Sequence, residues 1–202
     1  PGALFWTPRL AFFCYSLVLD ACVVLLGRWY APRLRWRRAL LCLASAWPVL
    51  AFAVRPFSNT TELLLLAALV CAVADPAPIT PARAVLVPAL GALGVFNRAT
   101  FVAFAAPLAA FHVYRCLRCA PTARACAVLG VSAAALGAAV AALVASDTRL
   151  YTGRVRADAL VLAPLNFVRY NADAANLARH GTHPRWLHAA VNVPLLALPL
   201  LP

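Results

Sequence analysis

Seven apolar runs, at about 9–27, 39–54, 62–74, 84–96, 99–114, 125–146 and 187–202, are separated by connectors that carry nearly all of the charge. A hydrocarbon core needs about 20 apolar residues per helical crossing. The runs at 9–27 and 125–146 reach that length unaided, whereas 62–74 and 84–96 need tilt or their flanks. Peptide groups in lipid must pair within their own segment or a closed sheet, so runs of this kind become helices. Hydrophobic residues make up 64% of the 202 and charged residues 12%. A soluble domain of this size could not cover that much apolar surface. The expectation is an all-α polytopic membrane protein, with about six to seven transmembrane helices in one transmembrane domain over 1–202.

All eighteen basic residues are Arg, and their placement orients the spans. Arg28, Arg33, Arg35, Arg37 and Arg38 crowd the first connector, which is expected in the cytosol. Alternation then puts 75–83 and 115–124 on the same side, with Arg83, Arg115, Arg118 and Arg124. The turns at 55–61 and 97–98 fall on the far side, together with a long luminal loop over 147–186. A net charge of +12 could suit a nucleic-acid binder, but no such motif accompanies it, so no nucleic-acid partner is expected. The chain has no Met and stops at Pro202 inside an apolar run. It reads as a piece of a longer protein.

Three polar stretches stand out at membrane-facing positions, where charge is costly unless used. They are Arg55 to Glu62, Asn97-Arg98, and a group within the long loop containing Pro164 to Asn171 and His180 to Pro184. All fall on the far side. Guanidinium groups suit phosphate because they donate paired hydrogen bonds and stay charged. The amides of Asn59, Asn97, Asn166 and Asn171 can both donate to and accept from sugar hydroxyls. Such a mixture suits a lipid-linked phosphosugar at the membrane surface.

Plainer readings exist for the same residues. Ser58 or Asn59 could cap the helix that follows, with Glu62 completing a capping box. Asn59-Thr60-Thr61 is also a glycosylation sequon, very close to the membrane. Asp20, inside the first span, could pair with a neighbouring helix. The seven Cys lie in or beside apolar runs, where thiols behave as small hydrophobes. Cys116 and Cys119 form a lone CxxC, and the spacing of His180, His183 and His188 fits no zinc motif, so no metal is expected. Asp147, Asp158 and Asp173 are the acids of the long loop, and nothing local separates them as general bases. Gly130 and Gly137 suit close helix packing.

These stretches resemble ordered elements of the dolichyl-phosphate-mannose-dependent mannosyltransferases, glycosyltransferase family 22 with a GT-C fold. Arg55-Pro56-Phe57-Ser58-Asn59-Thr60-Thr61-Glu62 is similar to that family's R-x-x-S-N-x-x-E element. Phe96-Asn97-Arg98-Ala99-Thr100 resembles F-x-R-P-T, with Ala99 in place of Pro. Asp147-Thr148-Arg149-Leu150-Tyr151 resembles D-S/T-x-x-Y, and Pro164 to Asn171 resembles P-x-N-F-x-K/R-x-N. The stretch Asn176 to Arg185, followed by Leu187 to Asn192, is most similar to the GPI mannosyltransferase 4 branch.

The resemblance implies a multi-pass enzyme of the endoplasmic reticulum membrane. Its donor would be dolichyl phosphate mannose and its acceptor a GPI-precursor glycolipid, with α1,2 addition of a fourth mannose and no cofactor. The implied substrate-binding residues are Arg55, Asn59, Glu62, Asn97, Arg98, Asp147, Tyr151, Asn166, Arg169, Asn171, His180 and His183. The family's acidic luminal motif has no match here, so the catalytic carboxylate is expected N-terminal to Pro1 and the chain alone is expected to be inactive. The alternatives are another enzyme of the family (third GPI mannose or an N-glycan mannose), a transporter or flippase of an anionic lipid, and a non-catalytic membrane subunit. A transporter would show internal repeats and mid-membrane polar residues. Asp20 is the one such residue and no repeat is evident.

Overall fold

The computed structural model describes residues 2–32, 36–46, 49, 53, 55–119, 121–179, 184, 186 and 190–191. These residues form α1 (Gly2–Tyr30), α2 (Trp36–Ser45), α3 (Ser58–Ala74), α4 (Pro81–Asn97), α5 (Val102–Cys119), α6 (Thr122–Thr152), α7 (Ala163–Ala172) and α8 (Ala174–Ala178). Two 3₁₀ turns lie at Ala99–Phe101 and Ala157–Ala159. The fold is all-helical across the described residues. Three helical segments among them are long and apolar enough to cross a membrane: Leu4–Tyr30, Ala99–Arg118 and Thr122–Thr152. Helices α3 and α4 are apolar but have 17 residues each. All of the expected run at 187–202 except 190–191, and most of the second half of 39–54, lie outside the described residues.

The chain packs as two units, Pro1–Thr60 with Arg169–Pro202, and Thr61–Val168. In the first, α1 and α2 pack together, with Gly27 facing Trp36. Asp20 is half-buried beside the buried Leu19.

The second unit is a helical bundle in which α4 is central, packed on α5 and α6. Leu69 and Val73 of α3, Val87 of α4 and Phe101 form its buried core, flanked by Leu65, Leu66, Leu90, Val95 and Leu108. Large apolar side chains such as Leu86, Leu93, Phe104, Phe111 and Leu136 point outward. In water these would be a liability, and against lipid tails they are the expected surface.

Polar groups gather at the two ends of this bundle. At one end α3 runs out at Ala74, and its last carbonyls would be left unpaired. Arg115 of α5 donates to the carbonyls of Val73, Asp75 and Ala77 at 2.7, 2.6 and 3.1 Å. Arg83 of α4 donates to the carbonyls of Asp75 (3.2 Å) and Ala77 (2.8 Å) and pairs with the Asp75 carboxylate. Asp75 also accepts from the Ala77 N–H at 2.9 Å, closing the turn. The turn into α4 is completed by Thr80, whose hydroxyl accepts from the Arg83 N–H, with Pro81 as the first helical residue.

At the other end α4 stops at Asn97. Arg98 is extended (φ −153°, ψ 125°), and its N–H still reaches the Gly94 carbonyl at 2.9 Å. The 3₁₀ turn that follows drives Phe101 back onto α4, where its ring covers Gly94. A Cβ on Gly94 would overlap that ring. The ring can take this seat because residue 94 has no side chain.

Two sequence expectations are revised. The stretch from Ser58 to Glu62 is not a turn but the opening of α3. Likewise, much of the expected loop over 147–186 is helical. Apolarity fades after residue 146, but the helical hydrogen-bond ladder does not depend on it. Helix α6 continues to Thr152 and ends at Gly153 in the left-handed region (φ 78°), whose N–H returns to the Arg149 carbonyl at 2.9 Å.

The Phe101–Gly94 contact yields a sharp expectation. Gly94→Ala should destabilise the full-length protein by about 1–3 kcal/mol through overpacking. Gly91→Ala, where a Cβ meets nothing within 4 Å, should be near neutral. Thermal melting of both variants in the same detergent checks the contrast.

Candidate functional site

Arg98, freed from α4 by its extended backbone, turns its side chain to α3. Its Nε lies 3.4 Å from Glu62 Oε2, and Thr100 Oγ1 lies 3.5 Å from Glu62 Oε1. The Glu62 side chain is 15% exposed and that of Arg98 34%. Glu62 therefore does not fold back as half of a capping box. It binds the α4–α5 reversal to α3 through both carboxylate oxygens. Asn97, the last residue of α4, is half-buried beside this pair in sequence.

The pair comes closest at Arg98 Nε, as an ion pair. The guanidinium donates no hydrogen bond among the described residues, so its N–H groups keep capacity for a second anion while Glu62 holds it by charge.

A cavity of about 480 Å³ opens between α3, α4, α5 and α6. Phe96 and Val102, which flank the Arg98 turn, line it, and so do Pro88, Ala105, Leu129 and Leu136. The polar lining side chains are His112 and Ser132, joined at 3.3 Å between Nε2 and Oγ. His112 lies ten residues beyond Val102, about 15 Å along the helix at 1.5 Å per residue. The cavity is thus an apolar groove about one leaflet deep, with a cation beside one end.

The acids of the 147–186 stretch now separate. Asp158 accepts from Arg156 at 2.9 and 2.7 Å on an exposed turn. The Arg156 hydrogen bonds hold its carboxyl below the usual range. Asp173 caps α8 by accepting from the Ala175 N–H at 2.9 Å. Asp147 is different. Its Oδ2 is buried and has no hydrogen-bond partner among the described residues. The adjacent Thr148 is fully buried, and its hydroxyl accepts from the Val161 N–H at 3.0 Å, tying the returning chain to α6. Tyr151 follows Asp147 by one helical turn and is exposed.

The remaining expected residues are placed as follows. Asn166 and Arg169 are exposed and three residues apart on α7, on one stripe of that helix. Asn171 is half-buried near the helix end. Arg55 is exposed on a bend before α3, and Asn59 is exposed in the first turn of α3. His180 and His183 lie outside the described residues. The contacts of the second unit thus bring Glu62, Arg98 and Thr100 together. Arg55, Asn59, Arg169 and Asn171 belong to the first unit.

The sequence profile of the Alg9-like mannosyltransferase family matches residues 1–202. The chain belongs to that family. Among curated proteins, GPI alpha-1,2-mannosyltransferase 4 of Homo sapiens is 39% identical over 94% of this chain and 34% of its own length. GPI mannosyltransferase 4 of Drosophila melanogaster is 27% identical over 94% of this chain and 34% of its own. The protein of that name from Eremothecium gossypii is 32% identical over 93% and 36%. The chain therefore spans about a third of the length of the curated relatives it matches. No solved structure matches it.

Within this Alg9-like chain, sequence reasoning missed Thr100, Phe101 and Gly94 as parts of one device. Thr100 carried a signal, as the last residue of the Phe96–Thr100 element. Gly94 carried none, since its role depends on where Phe101 lands. The groove was also invisible, because its lining is spread over four helices.

The Glu62–Arg98 pair can be weighed by a double-mutant cycle with Glu62→Gln and Arg98→Gln in the full-length protein. With Arg98 a third exposed, the expected coupling is about 0.5–1 kcal/mol. Additive losses in melting would mean that the two charges do not interact.

Proposed function

We propose that the intact protein transfers mannose from dolichyl phosphate mannose to a GPI-precursor glycan, as the fourth mannose in α1,2 linkage, at the luminal face of the endoplasmic reticulum membrane. The observation that carries this reading is the 39% identity to the human GPI alpha-1,2-mannosyltransferase 4 across 94% of the chain. Membership of the Alg9-like mannosyltransferase family supports it.

The geometry agrees with such chemistry. A lipid-linked donor offers an anionic phosphate joined to an apolar polyprenyl chain. The end of the second unit offers a half-engaged guanidinium, Arg98, beside an apolar groove. Arg98 would stabilise the phosphate as the sugar–oxygen bond breaks and negative charge gathers on the leaving group. Glu62 would fix the guanidinium so that it need not reorganise during the reaction. Arg169, exposed on α7, would contact donor or acceptor as a cation, with the Asn166 amide one helical turn away on the same helix. Asn59, Asn97, Asn171, Tyr151, Arg55, His180 and His183 would orient donor or acceptor. Arg can neutralise a phosphate leaving group, so the reading requires no metal and no cofactor. The base that takes the acceptor hydroxyl proton would lie outside these residues, in the acidic luminal loop implied by the family.

The test uses the full-length coding sequence in cells lacking the fourth-mannose GPI enzyme, with GPI precursors read by mass spectrometry. Wild type should restore the four-mannose species. Arg98→Ala and Arg169→Ala should each lower it by at least about 100-fold, the scale of losing one charge-stabilising donor, while Arg98→Lys should recover only part. Full activity in both Ala variants would remove these cations from the reaction, and no added hexose with wild type would remove the acceptor assignment.

A further inference from the structure

At the end of the bundle away from Glu62, a second cavity of about 160 Å³ is lined by Pro76, Pro78, Ile79, Arg115, Cys116 and Arg124 together with Ala125 and Val128. It is roughly ten times the space a single water needs. Its two cations are not equivalent. Arg115 is fixed in place by three carbonyls of the 73–77 segment. These carbonyls are dipoles and leave its full charge uncompensated. The nearby carboxylate, Asp75, is committed to Arg83. Arg124, on the first turn of α6, is exposed and makes no hydrogen bond or ion pair among the described residues. Two guanidinium groups thus face one concavity with no acid between them. An anion in that concavity could be reached by both cations.

We propose that Arg115 and Arg124, with the 76–79 turn as a wall, form a binding site for a phosphate group. The ligand class is a phosphomonoester or phosphodiester, carried by an anionic lipid head group or by a soluble phosphate. Guanidinium forks match phosphate oxygens in pairs. Arg115 still has an Nε–H and one Nη–H uncommitted, and Arg124 has all five donors. Arginines at the end of a membrane helix commonly serve only as topology signals. What separates this pair is a shared concavity, one member held rigid and the other free. The site is independent of the Glu62–Arg98 end and of the reaction proposed there.

The test uses the full-length protein in phosphatidylcholine nanodiscs. One arm titrates inorganic phosphate at constant ionic strength and reads the melting temperature. The other adds phosphatidic acid to the disc and reads retained lipid by native mass spectrometry. Binding in the first arm alone identifies a soluble phosphate, and in the second alone a lipid head group; either supports the site. Arg124→Gln should weaken binding about tenfold or more, because it removes a free cation without touching a fold contact. Arg118→Gln, an equal charge loss outside the cavity, should change it less than about twofold. Arg115→Gln also uncaps the 73–77 turn, so its binding is judged only if its melting without phosphate matches wild type. No binding in either arm, or equal weakening by Arg118→Gln and Arg124→Gln, overturns the proposal.

Discussion

A peptide group without a partner cannot be left in hydrocarbon, and the polar architecture of the Thr61–Val168 unit follows from that constraint. Inside the helices the ladder satisfies the backbone at no cost in side chains, except at Pro88 and Pro107, which donate no N–H. At the helix ends it cannot, and there this chain spends its charge. Arg83 and Arg115 serve the carbonyls beyond α3. Thr80 serves an N–H of α4, and Thr148 receives the Val161 N–H beside α6. The apolar remainder of each helix gains little from burial against its neighbours, since lipid is as apolar as they are. Close approach must then come from shape, and the ring of Phe101 seated on Gly94 is its tightest instance.

The same constraint separates structural from functional arginines. A guanidinium whose donors are taken up by carbonyls and a carboxylate, like that of Arg83, is a fold element. One held by a single edge, like that of Arg98, is fixed in direction while keeping donors for something else. The difference lies in how many N–H groups are committed, not in burial or in position along the sequence. By that measure the guanidinium at the Glu62 end is held in place with donors to spare, unlike that of Arg83. Glu62 limits the local charge while setting where the cation points.

The fold class was legible from the sequence because periodic helices in lipid leave long unbroken apolar runs. The two polar ends were legible for the same reason: charge in a membrane chain collects where spans stop. Helix ends were less so. Hydropathy marked the end of α6 near residue 146, and the helix runs on to Thr152, because Asp147 to Tyr151 is polar yet still helical and the true stop signal is Gly153. The Arg55–Glu62 element stood out in the sequence but was read as a turn. Only Arg55 to Phe57 lie before the helix; Ser58 onward opens α3, where a capping role would leave Glu62 folded back on its own helix. Glu62 instead reaches Arg98 and Thr100 across 36 and 38 residues of sequence. No local pattern encodes a contact of that separation.

The long-loop acids show what a structure adds to a motif. On paper Asp147, Asp158 and Asp173 were three equal carboxylates. An exposed carboxylate bound at both oxygens by Arg156 gains nothing further from a ligand, and one that caps α8 is committed to the backbone. Asp147 keeps a buried oxygen without a hydrogen-bond partner among the described residues, a state that costs free energy. It also opens the D-T-x-x-Y stretch that the family resemblance marked from a different direction. Thr148 beside it is committed to the Val161 N–H, so the fold at this turn is tied down without using that oxygen.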